Sequence, residues 1–240
     1  MISKGWIVIA LWAASIQHMN AQGSGKWLNA GQSGNTSRDL LDRVDHDVLA
    51  FHPDWVIIMV GTNDMLNSKK RVSLEDYTDN LMEITRRISS NGSTIILMSP
   101  PPVDEIYLRQ RHPGDSADIA PNDRIDAVRM RMKQLAVDSG YYYFDLNKAF
   151  SDRNLPAHNS DLFIRNKYNS GLEDGVHLTS LGYRFMASAL YQFIKKETAM
   201  TEDQSVLCFG DSLTKGVGDQ QRAEDSLGGY PGYLREFLGQ

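Results

Sequence analysis

The chain alternates short, continuous apolar runs with longer stretches in which apolar residues recur at helical spacing. Continuous apolar runs are typical of strands that are buried on both faces of a sheet. Each run here is followed at once by a glycine or a polar residue, which ends it. The sequence therefore predicts five strands, over residues 27–30, 55–60, 94–98, 141–144 and 205–209.

Between these runs, apolar residues lie three or four positions apart, as on one face of an amphipathic helix. Tyr77, Leu81 and Ile84 are an example. Strands alternate with helices and no hairpin signal joins two strands, so we predict an α/β protein with a layered, mostly parallel sheet. Residues 103–121 and 151–173 are predicted to be irregular. The predicted helices cover residues 38–49, 73–88, 122–137, 181–194 and 230–238.

Length and composition limit the possible functions. The 240 residues are 41% hydrophobic, which is enough for a single sizeable domain. The net charge is −5 and no stripe of Lys and Arg is present, so nucleic acid is not a predicted partner. A single cysteine, Cys208, excludes an intrachain disulfide and a cysteine-rich metal site. The histidines at 18, 46, 52, 112 and 158 have no ligand spacing, so we predict no metal.

Residues 1–22 differ from the rest of the chain. Lys4 precedes an apolar stretch over residues 6–16, and Ala21 follows near the end, which is the pattern of a secretory signal. The stretch is too short to span a bilayer comfortably, so stable membrane insertion is not expected. Met19 fits the cleavage pattern poorly, and a helix or strand packed on the domain is the alternative. A signal predicts a periplasmic or secreted protein; without one the protein would be cytoplasmic.

Candidate chemistry follows the ends of the predicted strands, where parallel α/β sheets bind their ligands. Ser212 comes directly after the last strand, on a tight turn that suits a nucleophile. A serine hydroxyl needs a base within hydrogen-bond reach, and His177 can take its proton. Asp174, three residues earlier, can hold the other ring nitrogen. The same four-residue segment also fits a capped helix start, since Thr179 follows it.

An ester carbonyl under attack becomes an oxyanion, which needs hydrogen-bond donors already aimed at it. Each such donor contributes on the order of 3 kcal/mol. The backbone N–H groups of Gly34 and Ser212 and the side-chain amide of Asn63 are the candidate donors. Taken singly, Gly34 also fits an ordinary turn, and Asn63 also fits the cap of a helix that follows a strand.

Four short segments together resemble the SGNH (GDSL) esterase and lipase superfamily. They are G-D-S-L at 210–213, S-G-N-T at 33–36, G-T-N-D at 61–64 and D-G-V-H at 174–177. The resemblance implies a three-layer flavodoxin-like α/β/α sandwich and hydrolysis of carboxylic esters through an acyl-serine intermediate, with no metal or organic cofactor. It also implies the site residues: Ser212, His177 and Asp174 as a catalytic triad, and Ser212, Gly34 and Asn63 as the oxyanion hole.

The order of these segments departs from the family pattern. The serine segment normally comes first, whereas here it comes last, so we predict a circular permutation. Joining Gln240 to Gly23 restores the usual order. The predicted organisation is a leader over 1–22 and one domain over 23–240. Within that domain, residues 23–199 carry the other blocks, residues 200–204 form the joint and residues 205–240 carry the serine block.

The substrate prediction rests on the loops. The sequence has no long apolar lid, and its polar loops suit a small acyl group on a polar alcohol. We therefore expect a small ester or an acylated glycan as substrate, with acetyl groups on carbohydrate favoured. Alternatives within the family are a lysophospholipase and a thioesterase. Alternatives outside catalysis are a phosphate-binding turn over residues 210–216 and a relative that only binds glycan.

Overall fold

Five parallel strands form one sheet at the centre of the protein. The computed structural model describes residues 27–112 and 118–239, so the predicted leader over 1–22 lies outside the described residues. The strand order is β1-β5-β2-β3-β4, with every pairing parallel. All five predicted strands are confirmed. They are β1 (Trp27–Gly31), β2 (Trp55–Met59), β3 (Thr94–Met98), β4 (Tyr142–Phe144) and β5 (Val206–Gly210).

The last strand in the sequence is an interior strand of the sheet. β5 lies between β1 and β2, and Cys208 is in register with Asn29 on one side and Ile57 on the other. All five of its residues are buried. Its backbone groups therefore pair on both sides, and its carboxyl end emerges between the ends of two other strands.

Helices cover both faces of the sheet. In β5, Leu207 and Phe209 pack with α1, α3 and α5, whereas Val206 and Cys208 pack with α6, α8 and α10. This alternation builds two apolar cores and gives a three-layer α/β/α sandwich, as predicted. The helices are α1 (Ser37–Asp47), α2 (Thr62–Leu66), α3 (Leu74–Ser90), α4 (Glu105–Arg111), α5 (Pro121–Ser139), α6 (Leu146–Ser151), α7 (Lys167–Ser170), α8 (Ser180–Glu197), α9 (Ser212–Lys215) and α10 (Tyr230–Phe237).

Both predicted irregular segments contain a short helix: residues 151–173 contain α7, and residues 103–121 contain α4. The Asp104 side chain accepts hydrogen bonds from the N–H groups of Ile106 (3.0 Å) and Tyr107 (3.4 Å) and so caps the first turn. Tyr107 and Leu108 are buried and anchor the helix. The prediction for residues 103–121 was wrong there because so short a helix shows no repeated apolar period. Among the described residues, no helix has the length and hydropathy needed to cross a membrane.

Candidate active site

The serine turn, residues 210–216, presents Ser212 at the carboxyl end of the interior strand β5. A side chain at Gly210 would overlap the carbonyl oxygen of Met59 and the side chain of Thr214, so only glycine fits there. Asp211 Oδ1 accepts the N–H of Leu213 at 2.9 Å and caps α9, which begins at Ser212. Ser212 is 8% exposed. Its hydroxyl is thus held in a fixed place by the sheet.

His177 lies between Ser212 and Asp174. Its Nε2 is 3.1 Å from Ser212 Oγ, and its Nδ1 is 3.0 Å from Asp174 Oδ2 and 3.1 Å from Oδ1. With the proton on Nδ1, the ring donates to the carboxylate, and Nε2 can accept from the serine hydroxyl. The structure therefore brings the three predicted triad residues together, with His177 in contact with both Ser212 and Asp174.

Asp174 is held as an anion by its surroundings. Burial raises the pKa of this carboxyl group, but hydrogen bonds from the His177 ring and from the backbone N–H groups of His177 and Val176 outweigh burial. The two backbone bonds measure 3.0 and 3.1 Å. The net pKa lies well below the ordinary aspartate value. Asp174 is therefore a carboxylate that accepts hydrogen bonds from the ring and the backbone of His177.

The predicted oxyanion donors come from neighbouring loops at the carboxyl ends of β1, β2 and β5. Gly34 has a φ of 78° within a turn in which the N–H of Asn35 donates to Gln32 O at 3.3 Å. The Asn63 side-chain amide donates to Asn35 O at 3.0 Å and to Asp211 Oδ2 at 3.3 Å. Asn63 therefore links the glycine loop to the serine turn, and all three candidate donors lie on loops that contact one another.

Arg43 of α1 contacts these loops, and its role was not predicted from the sequence. Its guanidinium donates to Ala30 O and Gly210 O, both at 2.9 Å, and to Asn35 Oδ1 at 2.7 Å. It therefore joins the ends of β1 and β5 to the glycine loop. The available signal was its place one helical turn after Leu40, on the buried side of α1.

Two further arginines contact Asp174. Arg111 lies in the segment predicted to be irregular, and helix α4 brings it to Asp174. Its Nη1 lies 2.9 Å from Asp174 O and 3.3 Å from Oδ1. Arg165 Nη1 lies 3.6 Å from Oδ2 and was not predicted. Both contacts join positions far apart in sequence, so no local pattern indicates them.

A second Asp–His pair contacts the loop that carries Asp174 and His177. His158 Nδ1 is 2.7 Å from Asp104 Oδ2, and the N–H of Asp104 donates to Gly175 O at 2.8 Å. Within residues 27–112 and 118–239, no group of three or more His, Cys, Asp or Glu side chains is arranged to hold a metal ion. Through Asp104, the pair connects the start of α4 to the loop that carries His177.

The chain is similar to known proteins of one family. The sequence profile of the GDSL-like Lipase/Acylhydrolase family matches residues 9–185, a range that includes Gly34, Asn63, Asp174 and His177 and ends before Ser212. An acetylxylan esterase of Geobacillus stearothermophilus is 30% identical over 176 residues, covering 70% of this chain and 71% of the relative. The GDSL esterase/lipase CPRD49 of Arabidopsis thaliana is 26% identical, covering 77% and 72%.

Solved structures give the same result. A lipase/acylhydrolase from Enterococcus faecalis superimposes with a TM-score of 0.53 at 26% identity, covering 68% of this chain and 71% of the other. A catalytic mutant of the acetylxylan esterase Axe2 from G. stearothermophilus gives a TM-score of 0.54 at 27% identity, covering 68% of each chain. The chain therefore belongs to the GDSL-like lipase/acylhydrolase family and is a carboxylic ester hydrolase.

Proposed function

We propose that the protein cleaves esters through an acyl-serine intermediate, with Ser212 as nucleophile, His177 as general base and Asp174 as the orienting carboxylate. One observation carries this proposal. The hydroxyl of Ser212 and the Nε2 of His177 are 3.1 Å apart, although the two residues come from different loops, and the other ring nitrogen contacts a buried carboxylate. This is the geometry that an activated serine requires.

The proposed reaction has two halves. Ser212 Oγ attacks the carbonyl carbon while His177 Nε2 takes the hydroxyl proton. The tetrahedral intermediate collapses, the bond to the alcohol oxygen breaks, and His177 returns the proton to that oxygen. Water then attacks the acyl-serine, with His177 as the base again, and releases the acid and the free serine. The ionised Asp174 stabilises the imidazolium that forms in each half.

The oxyanion would be held by three donors: the N–H groups of Gly34 and Ser212 and the side-chain amide of Asn63. Their loops lie side by side, and the Asn63 amide is fixed by its bond to Asn35 O. The positive φ of Gly34 suits a turn that directs a backbone N–H outward from the strand end.

For the substrate, we propose a short acyl group, acetyl above all, on a carbohydrate or a similar polar alcohol. Two observations support this choice. A relative at 30% identity is an acetylxylan esterase, and residues 165–174, in the loop that precedes His177, are mostly polar. Initial rates on an acetylated xylooligosaccharide, a lysophospholipid and an acyl thioester test it. We expect the acetylated sugar to give the highest kcat/KM. A higher value for the lysophospholipid would contradict the proposed substrate and favour a lipid ester instead.

We also propose that the order of the chain is a circular permutation of the family order. The interior position of β5 supports this, because the serine block then keeps its usual neighbours in the sheet. The test is a rearranged chain. It starts at Met200, runs to Gln240 and continues from Gly23 to Ala199. We expect it to fold with a kcat/KM within a few-fold of the original. An inactive product that remains soluble and folded would contradict the proposal.

The assay that tests the catalytic proposal uses p-nitrophenyl acetate. We expect turnover by the protein and none above background by Ser212→Ala, because the variant lacks the attacking oxygen. Circular dichroism and the melting temperature of both proteins provide the control for folding. Unchanged turnover in a folded Ser212→Ala would assign the nucleophile elsewhere. Absence of turnover in the original protein would favour the non-catalytic binding roles.

A further inference from the structure

A second buried carboxyl group, Asp211, lies between Ser212 and Asn63, and the steps above do not use it. Asp211 is 1% exposed. Its Oδ1 caps the serine helix through the N–H of Leu213 at 2.9 Å, while its Oδ2 accepts from the Asn63 amide at 3.3 Å. One carboxyl group thus touches both the turn that carries the nucleophile and the side chain that is the candidate oxyanion donor.

The Asn63 amide has two hydrogens, and both are directed at acceptors. One bond, to Asn35 O, is 3.0 Å long, and the other, to Asp211 Oδ2, is 3.3 Å long. A donor N–H can be shared between two acceptors. The longer bond is therefore the one that an oxyanion beside Ser212 can share, while the shorter bond to Asn35 stays in place.

We propose that Asp211 is a positioning residue for the oxyanion hole: its carboxyl group holds the Asn63 amide at a fixed place relative to the serine turn. Asp211 acts through Asn63 and does not touch the substrate. The inference rests on the proposed function, since it concerns the same oxyanion. Because the same carboxyl group also caps α9, movement of the nucleophile and of the donor is coupled.

The charged and titratable groups around Asp211 are few. Asp64 of α2 and His177 act on it electrostatically, and burial together with Asp64 raises the pKa of Asp211 to about 6, against the opposing effect of His177. Tyr183 of α8 and Tyr230 of α10 are buried beside it. Arg43 of α1 reaches the carbonyl of the preceding residue, Gly210.

A double-mutant cycle with Asp211→Asn and Asn63→Ala tests the proposal. Asparagine keeps the size of the side chain and an oxygen for the Leu213 cap, but it then turns an NH₂ group toward the Asn63 amide. We expect Asp211→Asn to lower kcat about tenfold with KM within about twofold. Asn63→Ala should lower kcat by roughly 10² to 10³. In the Asn63→Ala background, Asp211→Asn should have no further effect, since the group it positions is gone.

Asp211→Ser provides a second variant, because a serine caps the helix but is too short to reach Asn63. It should behave like Asp211→Asn. A matched control is Asp219→Asn, which makes the same change at a buried carboxyl group that contacts Tyr233 and Gln221 instead of Asn63. Whatever effect Asp219→Asn has should be equal in both backgrounds.

The outcomes separate the inference from the proposed function. If the original protein turns over p-nitrophenyl acetate and Asp211→Asn costs the same factor with and without Asn63, the function stands and the positioning role is wrong. Unchanged kcat in Asp211→Asn, an effect confined to KM, or loss of the folded state in both Asp211 variants would also overturn it. Failure of the original protein to turn over any ester would instead remove the proposed function itself.

Discussion

Two segments that meet at the site, the serine turn (residues 210–216) and the histidine loop (residues 152–179), are held in place in opposite ways. The serine turn is short, and its backbone fits closely against the sheet. A Cβ on Gly210 would meet Met59 O, and a Cβ on Gly31 of β1 would meet the backbone of Lys215. The position of Ser212 is therefore set by backbone contacts that leave no room for a side chain.

The histidine loop is long, and its own polar side chains organise it. Asp161 Oδ1 accepts from the N–H groups of Phe163 (2.9 Å) and Ile164 (2.8 Å). Asn166 donates to Asp161 O and Ile164 O. In addition, the backbone N–H of Arg165 donates to the carbonyl oxygen of His177 at 2.9 Å. The comparison shows that close packing of its turn holds Ser212, whereas the position of His177 depends on many separate hydrogen bonds.

The largest expected effect comes from removing the base at the end of the histidine loop. We expect His177→Ala to lower kcat by roughly 10⁵- to 10⁶-fold, and Asp174→Asn by about 10⁴-fold, since a bound water can still partly orient the ring. Steady-state kinetics with p-nitrophenyl acetate measure both, and thermal melts confirm folding. Turnover by Asp174→Asn equal to that of the original protein would remove Asp174 from the triad.

Glycine substitutions in the two segments should differ in cost. Gly210→Ala in the serine turn should lower the free energy of unfolding by about 3 kcal/mol, because its Cβ overlaps the carbonyl oxygen of Met59 and the side chain of Thr214. Gly171→Ala in the histidine loop is the matched control. Its φ is 72° and no atom lies within 4 Å of the added Cβ, so only backbone strain of about 1 kcal/mol applies. Denaturant titrations measure the free energy of unfolding of both variants. Equal losses in the two variants would contradict the contrast between the segments.

Between pH 4 and pH 7, the serine turn should also lose stability as the pH rises, which Asp174 of the histidine loop does not cause. Burial raises the pKa of Asp211 to about 6 in the folded protein, against about 3.9 when unfolded. Between these values the folded state holds the proton and the unfolded state does not, so this group's stabilising contribution is greatest below pH 4 and is lost as the pH rises through 6.

Asp211→Asn removes this pH-dependent loss of stability, because asparagine does not titrate in this range. The free energy of unfolding of Asp211→Asn minus that of the original protein should therefore rise by on the order of 2 kcal/mol between pH 4 and pH 7. Asp174 behaves in the opposite sense, because its depressed pKa gives a contribution that is constant above pH 5 and is lost only at strongly acidic pH. If the difference in the free energy of unfolding between Asp211→Asn and the original protein does not change with pH, the assignment of a raised pKa to Asp211 is wrong.

The sequence predicted those features that depend on local patterns. Continuous apolar runs gave all five strands, and helical spacing gave the long helices. The triad and the two oxyanion loops came from short segments that a family resemblance joined together. The contacts of Arg43, Arg111 and Asp211 could not be predicted in this way, because each connects parts of the chain that only the fold brings together. Helix α4 was missed because capping by Asp104 and two buried residues leave no repeating pattern.

The central claim is that a hydroxyl near the end of the chain is activated by an imidazole carried on the loop before α8. Reaction with a fluorophosphonate, followed by peptide mass spectrometry, tests it most directly. We expect one adduct per chain, on the peptide that carries Ser212, and at least a thousandfold slower labelling in His177→Ala. An adduct on another residue, or labelling of Ser212 at the same rate in His177→Ala, would contradict the claim.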